Sequence, residues 1–99
     1  MEKVWSMKLR YTPHARGQLE NIAEYIAKKD PAASARVGAQ IHRTAWLLTE
    51  FPLLGHESGL NGAREIVVPR FPYVVLYRIG KNKEAVEIIG VYHTTQEIL

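Results

Sequence analysis

Ninety-nine residues, 46% of them hydrophobic, are enough for one domain with a modest core, and a second domain is not expected. The chain has no cysteine, which excludes a disulfide framework, a thiolate nucleophile and a cysteine-ligated zinc. A net charge of +3 permits an acidic partner without requiring nucleic acid. No signal-peptide core and no apolar run of membrane-spanning length is present, so we expect a cytoplasmic protein without a membrane partner.

The chain begins with a short segment that precedes the first predicted element. We interpret residues 1–6 as an upstream start or a short disordered extension, and residues 7–99 as the single domain. Lys8-Leu9-Arg10-Tyr11 alternates polar and apolar residues, which predicts a short strand.

Two helices are predicted next, each opened by the same signal. Thr12-Pro13 and Asp30-Pro31 both place a capping residue before a proline at the first helical position. The tight connection between the helices indicates an antiparallel hairpin, and the second helix ends before Pro52. Trp46 and Leu47 widen the apolar surface of the second helix beyond one stripe, so this helix needs a second neighbour: the sheet edge, another subunit or a bound partner.

The last third of the chain consists of three β-rich runs, 63–68, 73–79 and 86–93. Proline and glycine clusters at 69–72 and 80–83 separate the runs and predict successive hairpins. The glycine-punctuated segment 55–62 is a loop whose spacing fits neither a dinucleotide nor a phosphate-loop fingerprint. The sequence therefore predicts an α+β fold: an N-terminal strand, an antiparallel two-helix hairpin and a three-stranded antiparallel meander packed against the helices.

The expected core combines one face of each helix with alternate strand positions. The strand register leaves Ile89 and Val91 as alternatives for one core position. The other expected members are Leu9, Leu19, Ile22, Ile26, Val37, Ile41, Leu48, Val75 and Ile88.

The order of these elements resembles the RelE/ParE toxins of type II toxin-antitoxin systems. The resemblance covers about residues 7–93 and rests on the Asp-Pro between the helices, Arg64-Glu65, the strand 73–78 and the terminal Val91-Tyr92-His93. It implies a compact α+β toxin that is neutralised by a cognate antitoxin protein wrapped around it. Two activities occur on this fold, so the site must choose between them: RelE-like members cut messenger RNA on the ribosome, and ParE-like members inhibit DNA gyrase.

Metal-independent RNA cleavage requires basic residues and a general acid or base that converge on the scissile phosphate. Here the candidates are few: Arg64, Arg70 and Arg78 as charge stabilisers, and Tyr92 and His93 as proton donors or acceptors. Residues 49–63 contain no lysine, and no arginine, lysine or tyrosine follows His93. The same five residues are therefore candidates for target contact in a non-catalytic inhibitor.

Each candidate also has a structural interpretation. Arg64 and Arg78 are equally suited to pairing with Glu65, Glu84 or Glu87 across the sheet. His14, His42 and His56 have no metal-ligand spacing, and we expect no metal, cofactor or small-molecule substrate. Trp46 and Leu47 are the antitoxin-binding candidates, because aromatic anchors dominate protein interfaces.

The sequence therefore favours a ParE-like toxin that inhibits growth by binding DNA gyrase, without enzymatic chemistry of its own. A RelE-like, ribosome-dependent messenger RNA endoribonuclease is the first alternative. A non-toxic module that only binds an antitoxin is the second.

Overall fold

A computed structural model of the chain describes residues 7–95. The interpretation of residues 1–6 as an extension falls outside these residues, as does the end of the segment after His93, residues 96–99. The elements in chain order are β1 (Lys8–Tyr11), α1 (Pro13–Ala27), α2 (Pro31–Glu50), β2 (His56–Glu57), β3 (Arg64–Val67), β4 (Tyr73–Ile79) and β5 (Ala85–His93).

Both helices begin where the sequence predicts. The Thr12 hydroxyl accepts a hydrogen bond from the Ala15 N–H at 3.1 Å, and the Asp30 carboxylate accepts one from the Ala33 N–H, also at 3.1 Å. Each cap satisfies one of the amide donors that a helix N-terminus leaves unpaired. The Ser34 hydroxyl donates to a carbonyl of α1 at 2.9 Å and so joins the two helices of the hairpin.

The strands form one five-stranded sheet in the order β1-β5-β4-β3-β2. The antiparallel meander β3-β4-β5 is confirmed. β1 joins the meander at β5 and runs parallel to it. Parallel neighbours need a long connection, and here the helical hairpin and the strands β2 to β4 lie between β1 and β5 in the chain. The additional strand β2 lies within the segment that the sequence indicates as loop, and it pairs with the first two residues of β3.

A β-bulge in β5 resolves the register that the sequence leaves open. Leu76 pairs with Gly90 and the next residue, Tyr77, pairs with Ile88, so Ile89 is an extra residue on β5. The extra residue shifts the alternation of side chains by one position. Val91 therefore returns to the helix side of the sheet, where it is buried.

The core lies between the helical hairpin and one face of the sheet. Five of the expected members are buried: Val37, Ile41, Leu48, Val75 and Ile88. Leu9, Leu19, Ile22 and Ile26 are only partly buried and pack against the margin of the core. Tyr77 of β4 is completely buried, and its hydroxyl makes hydrogen bonds inside the protein.

The Tyr77 hydroxyl holds the segment that follows α2. It donates to the Pro52 carbonyl at 2.7 Å and accepts from the Gly55 N–H at 3.0 Å. Gly55 approaches so closely that a Cβ atom there would lie 2.5 Å from the Glu65 carbonyl oxygen and 2.8 Å from the Tyr77 hydroxyl. Only glycine fits at this position without movement of the backbone.

Neither helix is long and apolar enough to cross a bilayer, a statement that covers residues 7–95.

We expect Gly55→Ala to lower the free energy of unfolding by about 1–3 kcal/mol, because the added methyl group overlaps backbone and a buried ring. Urea unfolding followed by circular dichroism measures the change. Gly38→Ala in α2 is the matched control: a Cβ there meets no atom within 4 Å, so the same substitution should stabilise by about 0.5–1 kcal/mol. Equal effects at the two positions would contradict the assigned packing of Gly55.

Candidate functional site

The five predicted site residues lie at two ends of the sheet and on both of its faces. Arg64 of β3 lies directly across from the buried Tyr77 of β4, so Arg64 is on the helix face, near the C-terminal end of β4. Arg78 follows Tyr77 and therefore lies on the outer face at the same end. Tyr92 and His93 lie at the opposite end of β4, across from Val74 and Tyr73 respectively. Tyr92 therefore occupies the outer face and His93 the helix face.

Arg64 is directed towards the protein backbone. One guanidinium nitrogen, Nη2, donates to the Gly55 carbonyl at 2.6 Å and to the Leu53 carbonyl at 3.3 Å. The Nε atom is buried and has no hydrogen-bond acceptor among residues 7–95. These contacts hold the same segment after α2 that the Tyr77 hydroxyl holds. Arg64 thus has a structural role that its sequence position does not reveal.

Arg78 is bound to a carboxylate across the sheet. Its Nε donates to the Glu87 carboxylate at 2.7 Å, and the two residues are directly paired between β4 and β5. Arg10 faces Glu87 from the other side, through the β1–β5 register. The Arg78 side chain stays 54% exposed. Such an exposed pair adds about 1 kcal/mol or less to stability, so Arg78 remains available for a partner.

Arg70 lies in the turn between β3 and β4, where it is exposed with a φ of 74°. This left-handed conformation is unfavourable for a non-glycine residue. No side-chain hydrogen bond or ion pair joins Arg70 to another residue in the described range. The Thr94 N–H donates to the Pro72 carbonyl at 2.8 Å, which places this turn at the same end of the sheet as Tyr92 and His93.

Tyr92 is a poor acid or base at neutral pH. Its hydroxyl donates to the Glu65 carboxylate at 3.2 Å. Burial, followed by the charge and hydrogen bond of Glu65, raises the pKa of Tyr92 to about 12. The phenol therefore stays protonated, and its proton is directed to a carboxylate of the same chain.

The His93 ring packs against the side chain of Tyr73 and is held by the residues that follow it. The ring centroids of His93 and Tyr73 lie 5.3 Å apart, edge to face. The Nδ1 atom accepts from the Thr95 N–H at 3.2 Å and lies 2.8 Å from the Thr95 hydroxyl. In the neutral ring the proton is then on Nε2. The structure brings His93 and Tyr92 to one end of the sheet but on different faces.

Trp46 and Leu47, the predicted antitoxin-binding residues, belong to a larger exposed apolar surface. Trp46 is 50% exposed, and the segment after α2 adds Leu54, which is 51% exposed. A groove of about 630 Å³ runs along this side of α2. We call it the α2 groove; its lining consists of Gln40, Arg43, Thr44, Trp46, Leu47, Thr49, Glu50, Leu54, Ile66 and Pro69.

The contributions of Leu54 and β3 to this surface were not predicted from the sequence. The apolar residues on both sides of Pro52 were the available signal, but only the fold brings them beside Ile66 and Pro69. Val67 adds a strand edge that no strand among residues 7–95 covers. The Val68 N–H bonds to β4, so the backbone N–H and carbonyl of Val67 point away from β4, and β2 does not extend far enough to pair with them. Val67 is itself 54% exposed.

Comparison with known proteins agrees with this architecture. The family described as "ParE toxin of type II toxin-antitoxin system, parDE" matches residues 9–98. A protein of Sinorhizobium fredii (strain NBRC 101917 / NGR234) named "Putative toxin Y4kP" is 38% identical over 90 residues, which cover 91% of each chain. The chain therefore belongs to the ParE toxin family of type II toxin-antitoxin systems.

Solved structures share the fold. A chain of the chromosomal ParDE system from P. aeruginosa superposes with a TM-score of 0.77 at 20% identity, covering 88% of this chain and 95% of that one. The RelBE2 toxin-antitoxin complex from Mycobacterium tuberculosis gives 0.64 at 28% identity, covering 90% and 99%. The free E. coli toxin RelE, in a mutant form, gives 0.69 at 15% identity, covering 92% and 86%. The predicted RelE/ParE-like α+β fold is thereby confirmed.

We expect stability to fall as pH rises from about 10 to 12. Burial raises the folded-state pKa of both Tyr11 and Tyr92 to about 12, above the value of 10 for an unfolded tyrosine. Their contribution is complete below pH 10 and is lost as the unfolded chain ionises first. Urea unfolding at several pH values measures the decline, which Tyr92→Phe should make shallower. Tyr25→Phe, at a 64% exposed position, is the control, and an unchanged slope in Tyr92→Phe would contradict the assignment.

Proposed function

We propose that this toxin inhibits DNA gyrase by protein contact and that a cognate antitoxin neutralises it by covering the α2 groove. Membership of the ParE family supports the first part, and the exposed apolar surface supports the second. Both partners are macromolecules of the bacterial cytoplasm, which is the location that we propose for the complex.

The observation that favours inhibition by protein contact over RNA cleavage is the placement of the two acid-base candidates, Tyr92 and His93, and the bonds they make within the chain. Tyr92 is protonated and bonded to Glu65, and His93 lies on the other face of the sheet. Arg64 donates to backbone carbonyls, and Arg78 lies four residues along β4 from the partner of Tyr92, about 13 Å away at 3.3 Å per residue. Cleavage needs an acid or base and a cation at one phosphate, and of the three candidate arginines Arg70 alone lies at the end of the sheet that holds Tyr92 and His93.

The exposed arginines that remain, Arg70 and Arg78, suit an acidic surface of a protein target. Arg70 is in a turn, where a side chain is free to reach a partner without loss of packing. Lys8 and Arg10 of β1 add positive charge on the outer face, on the other side of Glu87 from Arg78.

The α2 groove has the character of a protein interface. Its lining combines the apolar side chains of Trp46, Leu47, Leu54 and Ile66 with the charged side chains of Arg43 and Glu50. Large exposed apolar patches with a polar rim mark interaction sites, and tryptophan is the commonest kind of anchor. The uncovered edge at Val67 adjoins the groove and offers backbone bonding to an extended segment of the antitoxin.

We expect Arg70→Gly to weaken inhibition of gyrase supercoiling by purified toxin by about tenfold or more, if Arg70 contributes a charged contact. Lys83→Gly is a matched control, because Lys83 is also an exposed cation at positive φ, 58°, in the next turn. Glycine is compatible with both conformations, so both variants should fold with stabilities within about 1 kcal/mol of the parent. Equal inhibition by the two variants would remove Arg70 from the contact surface.

Primer-extension mapping of transcripts after induced expression separates the alternative activities. Intact supercoiling together with cuts at ribosomal positions would overturn the gyrase proposal in favour of the endoribonuclease. Intact supercoiling, uncut transcripts and normal growth would favour the module that only binds an antitoxin.

We expect Trp46→Ala to weaken binding of the cognate antitoxin by about 30-fold or more, and Leu47→Ala by a smaller factor. Isothermal titration calorimetry measures both. Tyr25→Ala on α1 is the control: Tyr25 is exposed but does not line the α2 groove, so its affinity should stay within about threefold of the parent. A Trp46 variant that binds as tightly as the parent would place the antitoxin elsewhere.

A further inference from the structure

A chain of hydrogen bonds connects β1 to the indole at the α2 groove. The Trp46 indole Nε1–H donates to Nε2 of His42 at 2.8 Å. The other ring nitrogen of His42, Nδ1, lies 2.9 Å from the Tyr11 hydroxyl oxygen. The Tyr11 and His42 rings stack at 6.0 Å, and His42 and Trp46 meet edge to face at 6.1 Å.

The indole fixes the protonation pattern of the imidazole. An indole nitrogen is a donor only, so Nε2 of His42 must present its lone pair to Trp46. The proton of the neutral ring is therefore on Nδ1, and Nδ1–H donates to the Tyr11 oxygen. Both bonds are satisfied by this one tautomer.

Protonation of His42 affects the two bonds differently. The imidazolium has a donor at each nitrogen, so Nδ1 continues to donate to Tyr11. At Nε2, however, two N–H groups face each other at 2.8 Å, which is repulsive. His42 remains held by β1, and Trp46, which is half-exposed, is the side chain that has to move.

The groups around His42 come from three elements. Burial raises the pKa of the Tyr11 hydroxyl to about 12, so Tyr11 of β1 stays neutral beside Nδ1 and adds no negative charge to favour the imidazolium. Arg16 and Glu20 of α1 line the cavity beside His42, one opposing and one favouring the imidazolium. On α2 itself, Arg43 donates to Gln40 at 2.7 Å.

We propose that His42 positions Trp46 at the α2 groove only while the imidazole is neutral, so that acidification releases the indole and weakens antitoxin binding. The first half concerns the free toxin alone. The second half rests on the proposed function, which makes Trp46 an antitoxin anchor.

The first experiment records the indole Nε1–H of Trp46 by ¹⁵N NMR in free Trp5→Phe toxin, which leaves a single tryptophan. Between pH 8 and pH 5, where histidine changes its charge, the signal should shift and its exchange with solvent should accelerate. In His42→Gln, whose amide oxygen accepts from the indole but does not titrate, the signal should not respond to pH. His56→Gln, which removes a histidine outside this chain of bonds, should keep the parent response.

The second experiment measures antitoxin affinity by calorimetry at pH 8 and pH 5.5. The parent should lose about fivefold more affinity than His42→Gln on acidification, the change expected for one net hydrogen bond. A Trp46 signal that ignores pH, or that responds equally in His42→Gln, overturns the proposal. A Trp46 signal that titrates as expected, with equal affinity losses in parent and variant, overturns only the second half and places the antitoxin away from Trp46.

Discussion

The segment after α2 is held in place by two residues that pair across β3 and β4. The Tyr77 hydroxyl reaches Pro52 and Gly55, and the Arg64 guanidinium reaches the carbonyls of Leu53 and Gly55. A segment that leaves a helix exposes unpaired carbonyls, and burying them without partners would cost about 1–3 kcal/mol each. These contacts turn the chain back towards β3, and the α2 groove exists because Leu54 is brought beside Ile66.

Hydrogen bonds within the chain occupy some of the candidate side chains and leave others exposed to solvent. Arg64 is committed to backbone carbonyls, and Tyr92 is committed to Glu65, whereas Arg70 and much of Arg78 face solvent. A toxin that acts by contact needs exposed groups on a rigid scaffold. Arg64 and Arg78 lie at the end of the sheet away from Tyr92 and His93, whereas Arg70 lies at the same end as those two residues.

The α2 groove and the His42 network meet at one side chain. Trp46 is at the same time part of the apolar surface and the donor to a titratable ring. Under the two proposals above, protonation of His42 would move Trp46 and so change the shape of the α2 groove. β1 takes part because Tyr11, at its last position, holds the opposite side of that ring.

The sequence by itself determined the first strand, both helices with their starts, and the meander, but not β2, because caps, prolines and apolar periodicity act over a few residues. It also identified Trp46 and Leu47 as exposed apolar residues. The parallel partner of β1, the bulge at Ile89 and the inward turn of Arg64 were decided only by the tertiary structure. Each depends on which distant backbone groups still need a hydrogen-bond partner after the helices have packed. Local sequence patterns do not specify those long-range pairings.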